Sequence, residues 1–319
     1  PPDPPGRPGG KGPFNENLMP NAQGFSYFFG TPMHNGFTKD VDLRRFVVEL
    51  MRNGEVVESP ADLDKLTKVY THEAVNFIRD NKDRPFFILL SHNMPHVPLA
   101  VSDDFRGKSS RGLYGDAIEE IDWSVGQVVS ELDSLNLLQD TLIVFLSDNG
   151  PEVRAELEND VGSAGALRGG KYSNWEGGVR VPAIFYWSGA IPSKTIREGV
   201  FSLMDIFPTV AALAGGTGPE SYRLNGANIL PLLLSDGNDY GTSSSYFYYS
   251  LTSLQAVRLD EWKLVLPRIK NSPYLLWLGK YSDTVDKPML FNLKSDVREQ
   301  NDLSSERPDL VAKMLAEAE

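Results

Sequence analysis

Two neighbouring oxygen donors, Asp148 and Asn149, follow a short apolar run in the middle of the chain. The run, residues 142–146 (LIVFL), is rich in branched and aromatic side chains, which predicts a strand buried on both faces. It stops at SDNGP, a sequence typical of a turn. One anionic and one neutral oxygen side by side suit a hard cation such as Ca²⁺ or Mg²⁺. The DNG tripeptide alone is more often only a turn, because all three residues are turn formers.

A lysine flanked by glycine follows the DNG turn. Lys171 ends the sequence GGK and precedes EGG at 176–178. Glycine lets the backbone pass close to a ligand, and the compact ammonium group of Lys171 could bind an oxyanion. A single lysine in a glycine-rich loop is usually only solvated. The order of the motifs is therefore more specific than any one of them.

A second apolar run, residues 86–90 (FFILL), precedes the polar sequence SHNMPHVPL, which contains His92 and His96. The run predicts another buried strand. A histidine after a strand is ambiguous by itself. In an open α/β sheet, however, ligands bind just past the carboxyl ends of the strands. We therefore expect His96 to converge with Asp148, Asn149 and Lys171 at one edge of the sheet.

The elements around these residues alternate between strands and helices, which predicts a parallel, helix-covered sheet. The three core strands are expected over 86–90, 142–146 and 183–187, all in one sheet. Helices are expected from Ser59-Pro60 onward, over 115–135 and over 202–214. Asn53-Gly54 between two apolar runs predicts a hairpin turn.

The amphipathic pattern of the 115–135 helix allows its buried side to be predicted. Its stripe comprises Ile118, Ile121, Asp122, Val125, Val128, Val129 and Leu132. Its acidic residues are interpreted as a solvated face.

Composition shifts divide the chain into three parts. Residues 1–17 are rich in Pro and Gly, which predicts a disordered or artefactual tail. A second shift, at 235–245, separates an α/β domain over 18–238 from a smaller domain over 239–319. Short strands are expected in that last part, over 246–249, 254–258, 262–266 and 288–293.

Composition also limits the classes of function. The 319 residues are 41% hydrophobic and 23% charged, as in ordinary globular proteins. A net charge of −12 disfavours non-specific binding to nucleic acid or anionic membranes. No apolar run approaches the length of a membrane span, and the first residues have no apolar core typical of a signal peptide. There is no cysteine, so there are no disulfides.

The succession of an apolar strand, SDNGPE, GGK and EGGVRVPAIFYW resembles the sulfatases of the alkaline-phosphatase superfamily. Arylsulfatase A and N-acetylgalactosamine-6-sulfatase are the types it resembles most. The sequences LMPNAQGFSYFFGTP at 18–32, AVRLDEWKLVLP at 256–267 and LFNLKSDVREQNDL at 290–303 are similar to other parts of that family. The resemblance implies an alkaline-phosphatase-like α/β fold with a mixed, mostly parallel sheet between helices. It also implies a C-terminal subdomain with a small antiparallel sheet and a final helix.

The resemblance assigns roles to the candidate residues. Asp148 and Asn149 would bind a divalent metal, usually Ca²⁺, with Mg²⁺ as another possibility. Lys171 and His96 would contact the substrate sulfate, with His96 close to the leaving group. The role of His92 is less defined, and it could equally support the residues that contact the sulfate without touching it. The implied reaction is hydrolysis of an aryl or glycan sulfate ester. The implied compartment is periplasmic, secreted or lysosomal.

One part of the family pattern is absent from the sequence. The sulfatase nucleophile is a formylglycine made from the first residue of C/S-x-P-S/A-R, and no such motif occurs here. The two N-terminal aspartates that complete the metal site are missing as well. The chain alone is therefore expected to be inactive. Three interpretations stay open: a sulfatase lacking its N-terminal third, a non-catalytic relative that binds sulfated ligands, or a phosphate mono- or diester hydrolase of the same superfamily.

Overall fold

The computed structural model describes residues 16–35, 48–153, 162–197, 199–216, 224–235, 245–250, 252–268 and 284–318. Nearly all of the expected tail at 1–17 and of the composition shift at 235–245 lies outside these ranges. The chain divides into two compact units, the first ending at Leu138 and the second beginning at Gln139. Within the described ranges, no helix has both the length and the apolar character needed to cross a bilayer.

Both units contain helices and strands. The α-helices are α1 Leu66–Asn81, α2 Gly112–Ser134, α3 Glu176–Val179, α4 Ile206–Leu213, α5 Leu230–Leu234 and α6 Pro308–Ala318. The strands are β1 Phe29–Gly30, β2 Leu50–Arg52, β3 Glu55–Glu58, β4 Ile143–Leu146, β5 Ala183–Tyr186, β6 Tyr246–Ser250, β7 Ser253–Leu259, β8 Trp262–Val265 and β9 Met289–Asn292. Short 3₁₀ helices occur at Glu16–Leu18, Pro20–Gln23, Leu63–Lys65, Leu138–Asp140 and Leu203–Asp205.

The first unit contains a three-stranded antiparallel sheet in the order β1-β2-β3. The β2–β3 turn consists of Asn53 and Gly54, with φ angles of 49° and 90°. Two successive positive φ angles are the geometry that a two-residue hairpin requires, and Asn-Gly supplies it at little cost. The predicted hairpin is confirmed.

Helix α1 begins later than the sequence pattern suggested. The Asp62 side chain accepts a hydrogen bond from the Asp64 amide at 3.2 Å and opens the short helix Leu63–Lys65, from which α1 continues at Leu66. Pro60 is therefore not the first helical residue, and that prediction is wrong. The buried side of α1 includes Leu66, Tyr70 and Ile78.

Helix α2 buries Ile121 and Leu132, as predicted, but not the whole predicted stripe. Ile118 and Asp122 are exposed, whereas Asp116 and Glu120 are buried. Asp116 accepts three backbone hydrogen bonds, from the amides of residues 107–109, at 2.7, 3.0 and 2.7 Å. Burial alone would raise the pKa of Asp116, but these bonds outweigh it and lower the pKa below its ordinary value. The interpretation of all the helix acids as a solvated face is thus wrong for two of them.

Residues 86–90 are not part of any of the three described sheets. Phe87 and Leu89 are 54% and 67% exposed. The prediction of a buried strand here is wrong in this chain, as is the expectation that 86–90 shares one sheet with 142–146 and 183–187. An apolar run indicates that burial of the segment would be favourable. Whether the segment is buried depends on partner strands elsewhere in the sequence.

The second unit begins with a two-stranded sheet. Strands β4 and β5 pair antiparallel, with Ile143 opposite Tyr186 and Leu146 opposite Ala183. Phe145 is exposed, so the expectation that β4 is buried on both faces is wrong, and Ile184 on β5 is exposed as well. Every pairing in the described part of the chain is antiparallel.

The C-terminal part forms a four-stranded antiparallel sheet in the sequential order β6-β7-β8-β9. One face packs against α6 through Val257, Leu264, Leu290 and Met314, all of which are fully buried. The other face packs Ala256, Val265 and Phe291 against Trp175. The predicted strands of this part, and the sheet and final helix that the resemblance implied, are confirmed.

Candidate functional site

The DNG turn directly follows β4. The Asp148 side chain is exposed and Asn149 is partly buried. The hydroxyl of Ser147 donates to the Asn149 carbonyl oxygen at 3.0 Å and closes the turn. No hydrogen bond or ion pair engages the Asp148 carboxylate within the described residues. Its oxygens are available to an external cation.

The loop that carries Lys171 is held by its backbone. The Lys171 amide donates to the Pro151 carbonyl oxygen at 2.7 Å, and the Ser173 amide donates to the Gly170 carbonyl oxygen at 3.0 Å. The Lys171 ammonium lies 5.2 Å from the centre of the Tyr172 ring. No described carboxylate forms an ion pair with it. The backbone of Lys171 is thus fixed by the main chain, its ammonium group lies near an aromatic ring, and its charge is not neutralised within the described residues.

Glycines allow the DNG turn and the Lys171 loop to lie against each other. The Gly150 amide donates to the Gly178 carbonyl oxygen at 2.9 Å, and the Gly177 amide donates to the Arg168 carbonyl oxygen at 2.7 Å. A Cβ atom at Gly150 would lie only 1.9 Å from the Gly177 carbonyl oxygen. Glycine is required at residue 150 because no side chain fits at that distance.

Glu176, at the start of the EGG turn, lies in a buried charge cluster. One carboxylate oxygen is 3.0 Å from the Lys263 ammonium, and the other accepts from the Arg180 side chain at 2.8 Å. The Glu176 amide donates to a Glu299 carboxylate oxygen at 2.7 Å. Burial alone would raise the pKa of Glu176, but Lys263 and Arg180 outweigh it and hold the pKa below its ordinary value. Glu176 is therefore an anion in the interior.

The loop around His96 belongs to the first unit. Nδ1 of His96 is 2.6 Å from the Val97 carbonyl oxygen, and the His34 ring lies 4.7 Å away between ring centres. A carbonyl oxygen only accepts, so Nδ1 carries a proton, and in the neutral ring Nε2 is the basic nitrogen. The buried amide of Asn35 donates to the carbonyl oxygens of His96 and Pro98 at 2.7 and 3.0 Å.

His92 has a different environment from that of His96. Its Nε2 is 3.1 Å from the Ser124 hydroxyl, and its Nδ1 is buried with no hydrogen-bond partner in the described structure. Burial lowers the pKa of His92 to about 4. The ring is neutral at ordinary pH, and its contacts fit a supporting position better than direct binding of an anion.

The structure thus brings three of the four candidate residues into adjoining loops of one unit. These are Asp148, Asn149 and Lys171, whereas His96 lies in the other unit. The described residues include no cluster of three or more His, Cys, Asp or Glu side chains that could hold a metal. Asp148 and Asn149 supply one carboxylate and one amide oxygen, which fits a hard cation as part of a larger ligand set.

Sequence reasoning missed His34 and Lys263. The His34 ring lies against the His96 ring but follows no predicted strand, so no pattern marked it. Lys263 is a charged residue inside a strand and would ordinarily be assigned to the solvent face, yet its side chain is fully buried. The preceding Trp262 and the alternation of the strand gave no indication of that burial. Only the spatial neighbours Glu176 and Glu299 explain it.

Comparison with known proteins identifies two family regions. Residues 8–216 match the sulfatase family, and residues 242–319 match the C-terminal region of aryl-sulfatase. Human steryl-sulfatase is 40% identical over 275 residues, covering 80% of this chain and 47% of the relative. The N-acetylgalactosamine-6-sulfatase of Canis lupus familiaris is 37% identical over 256 residues, covering 76% of this chain and 48% of the relative.

Solved structures show the same fold. The PsFucS1 sulfatase from Pseudoalteromonas sp. superposes with a TM-score of 0.82 at 27% identity, covering 96% of this chain and 68% of its own. Ps i-CgsB in complex with k-i-k-neocarrahexaose superposes with a TM-score of 0.77 at 28% identity, with coverages of 96% and 68%. The alkaline-phosphatase-like α/β fold expected from the sequence is confirmed.

These matches extend over both regions of the chain. The chain spans about half the length of the curated relatives it matches. The family regions include the DNG turn, the Lys171 loop and the four-stranded C-terminal sheet. The chain belongs to the sulfatase family.

Proposed function

We propose that this chain supplies the sulfate-binding and part of the metal-binding apparatus of a sulfuric ester hydrolase. The observation that carries the proposal is the backbone junction between the DNG turn and the Lys171 loop. It holds Asp148 and Lys171 in adjoining loops of a sulfatase-family chain, and neither charge has an ion-pair partner among the described residues. A phosphate ester hydrolase has no comparable support among the relatives, which are named as sulfatases.

Lys171 would bind a sulfuryl oxygen through its ammonium group. The charge is compact, and the backbone that carries it is fixed by the hydrogen bond from the Lys171 amide to the Pro151 carbonyl oxygen. Asp148 and Asn149 would contribute two oxygen ligands to a divalent cation, Ca²⁺ or Mg²⁺. When bound, such a cation polarises the sulfuryl group and neutralises its charge. One carboxylate and one amide alone would bind it weakly.

His96 would contact the sulfate near the leaving oxygen. With Nδ1 bonded to the Val97 carbonyl oxygen, Nε2 is the nitrogen that can exchange a proton with the alcohol as it leaves. The substrate would be an aryl or glycan sulfate ester. The neighbour solved with a neocarrahexaose supports a glycan.

The domain boundary near residue 238 is also a proposal, supported by family regions that end at 216 and resume at 242.

Binding tests this proposal more directly than turnover, because the sequence contains no C/S-x-P-S/A-R motif to supply a nucleophile. The experiment is titration calorimetry of inorganic sulfate and of 4-nitrophenyl sulfate against the full chain with Ca²⁺ present. Lys171→Ala should weaken binding of both anions about tenfold or more, because a hydrogen bond to a charged group is lost. Asp148→Asn should weaken Ca²⁺ binding by a similar factor.

Lys313→Ala is the matched control, since Lys313 is an exposed lysine on α6. It should leave both sulfate affinities unchanged. Equal affinities for the wild type and Lys171→Ala would contradict the assigned role of Lys171. The absence of any sulfate binding by the wild type would contradict the proposed function as a whole.

A further inference from the structure

The C-terminal sheet places one fully buried lysine against the loops of the candidate site. Lys263 lies on β8, and its side chain has 0% exposure. Its ammonium group is 3.0 Å from Glu176 and 2.9 Å from Glu299, each through a carboxylate oxygen. It also lies 4.8 Å from the centre of the Tyr248 ring. A buried charge of this kind is tolerated only when its partners are fixed around it.

The cluster connects directly to the backbone of the site. Glu176 is the first residue of α3, and the next two residues make the bonds that join the site loops. The Gly177 amide bonds the Arg168 carbonyl oxygen, at the start of the Lys171 loop, and the Gly178 carbonyl oxygen accepts from the Gly150 amide, at the end of the DNG turn. The position of Glu176 therefore sets the positions of both loops.

Glu299 completes the link from the other side. One of its oxygens accepts from the Glu176 amide at 2.7 Å, and its own carbonyl oxygen accepts from the Arg168 side chain at 3.1 Å. Arg168 in turn stacks on Trp175, with 3.5 Å from guanidinium carbon to ring centre. The turn at 175–178 is thus held from β8 by Lys263 and from the segment after β9 by Glu299.

We propose that Lys263 and Glu299 are positioning residues, which hold the turn at 175–178 and through it set the geometry of Lys171, Asp148 and Asn149. The idea that this positioning serves sulfate binding rests on the proposed function. The physical connection between the cluster and the loops rests on the contacts alone. It gives the C-terminal sheet a role in the site although none of its own side chains is proposed to touch substrate.

Hydrogen exchange on the full chain tests the link without any ligand. Three amides report on it, those of Gly150, Lys171 and Gly177, because each makes one of the joining hydrogen bonds. Lys263→Met keeps the length of the side chain and removes the charge. Exchange at these three amides should accelerate roughly a hundredfold, as expected when one partner of a buried ion pair is removed. Lys287→Met, at a lysine 75% exposed on the same subdomain, should change none of them.

Rescue separates positioning from general damage. Lys263→Met combined with Glu299→Gln leaves no unpaired charge from this pair, and Gln can still accept from the Glu176 amide. The double variant should recover at least about tenfold of the lost protection. Sulfate affinity should fall with Lys263→Met and recover in the double variant. If Lys263→Met leaves the three amides as in the wild type, the proposal is overturned. It is equally overturned if the double variant exchanges as fast as the single one.

A measurement on the wild type covers the case in which Lys263→Met does not fold. With increasing urea, the three loop amides should open together with the amides of β8, as one cooperative unit. Loop amides that open at much lower urea than β8 would overturn the link. The outcome is independent of the proposed function, because a wild type that binds no sulfate would refute that function and leave the exchange result unaffected.

Discussion

Two regions of the molecule carry the candidate residues, and they are held in different ways. The loops at 147–153 and 168–178 are joined by backbone hydrogen bonds and anchored to Lys263 and Glu299 in the interior. The segment at 86–99 begins with an apolar run outside every described sheet, and its later part is held by side-chain hydrogen bonds, among them those from Asn35 to the carbonyl oxygens of His96 and Pro98. A similar succession of an apolar run and a polar end thus gives one fixed region and one partly exposed region.

The difference shows that the anchor of a functional loop can lie far from it in sequence. Strand β4 has a partner in β5, and its loop is fixed by residues of the C-terminal sheet. The run at 86–90 has comparable apolar character but no partner strand in the described structure. Apolar character by itself therefore did not determine which region became ordered around a buried core.

The strongest test of this comparison is a pair of identical substitutions, one in each unit. Gly150→Ala would drive a Cβ atom into the Gly177 carbonyl, whereas Gly126 in α2 has no heavy atom near its Cβ position. We expect Gly150→Ala to cost more than about 3 kcal/mol of unfolding free energy, because backbone must move. Gly126→Ala should instead stabilise by up to about 1 kcal/mol, since it replaces glycine inside an exposed helix.

Urea denaturation followed by circular dichroism measures both variants. A Gly150→Ala protein as stable as the wild type would show that the two loops are not closely joined, and the contrast between the regions would disappear. Exchange at the Lys171 amide would then decide whether the loop had moved or had never been fixed.

A pH titration tests the anchored part of the second region. The pKa of His92 is about 4 in the folded chain and about 6.5 in an unfolded one, so the unfolded state binds the proton more tightly. The stabilisation is complete above pH 6.5 and is lost as the pH falls towards 4. Between pH 7.5 and 5 the loss from this residue should be about 2 kcal/mol.

The measurement is the unfolding free energy of the wild type and of His92→Gln at both pH values. The pH-dependent loss should be about 2 kcal/mol smaller in the variant. His72→Gln, at an exposed histidine of α1, should keep the loss of the wild type. Equal losses for the wild type and His92→Gln would mean that His92 is protonated in the fold and less buried than the structure shows.

The smallest effect is expected in the apolar run itself. Leu89 is 67% exposed and Leu66 only 1%, so Leu→Ala at the two positions compares exposed with buried leucine. Leu89→Ala should change the unfolding free energy by less than about 0.5 kcal/mol, whereas Leu66→Ala should cost about 2 to 5 kcal/mol.

Leu89→Ala should also reduce self-association, measured by sedimentation velocity, because it shortens an exposed apolar strip. A cost above about 2 kcal/mol for Leu89→Ala would show that this leucine is covered in solution. The run would then be as well anchored as the loops at 147–153 and 168–178.

The sequence allowed the elements with strong local signals to be predicted. Asn53-Gly54 requires a particular turn, and the four C-terminal strands have the alternation that a sheet with one packed helix needs. The candidate residues Asp148, Asn149 and Lys171 followed from the order of motifs. Their roles, and that of His96, stay predictions.

What the sequence did not reveal depends on contacts between distant residues. The 86–90 run could not be placed, because burial of a strand depends on partners that lie elsewhere in the sequence. Asp116 and Glu120 were assigned to solvent because charge on a helix usually indicates exposure. Asp116 is nevertheless buried, and it accepts hydrogen bonds from backbone amides of a neighbouring loop. Lys263 was missed for the same reason, since its carboxylate partners lie far from it along the chain.

The sequential order of the C-terminal sheet also has a consequence for the timing of folding. Ser250 faces Ser253 and Leu259 faces Trp262, so β6, β7 and β8 pair across very short turns, while β4 must reach β5 across the whole loop region. Short closures cost little entropy and form early. We expect β6–β8 to assemble first. Lys263 would then be in position before Glu176 packs against it, and the loops of the site would become ordered last.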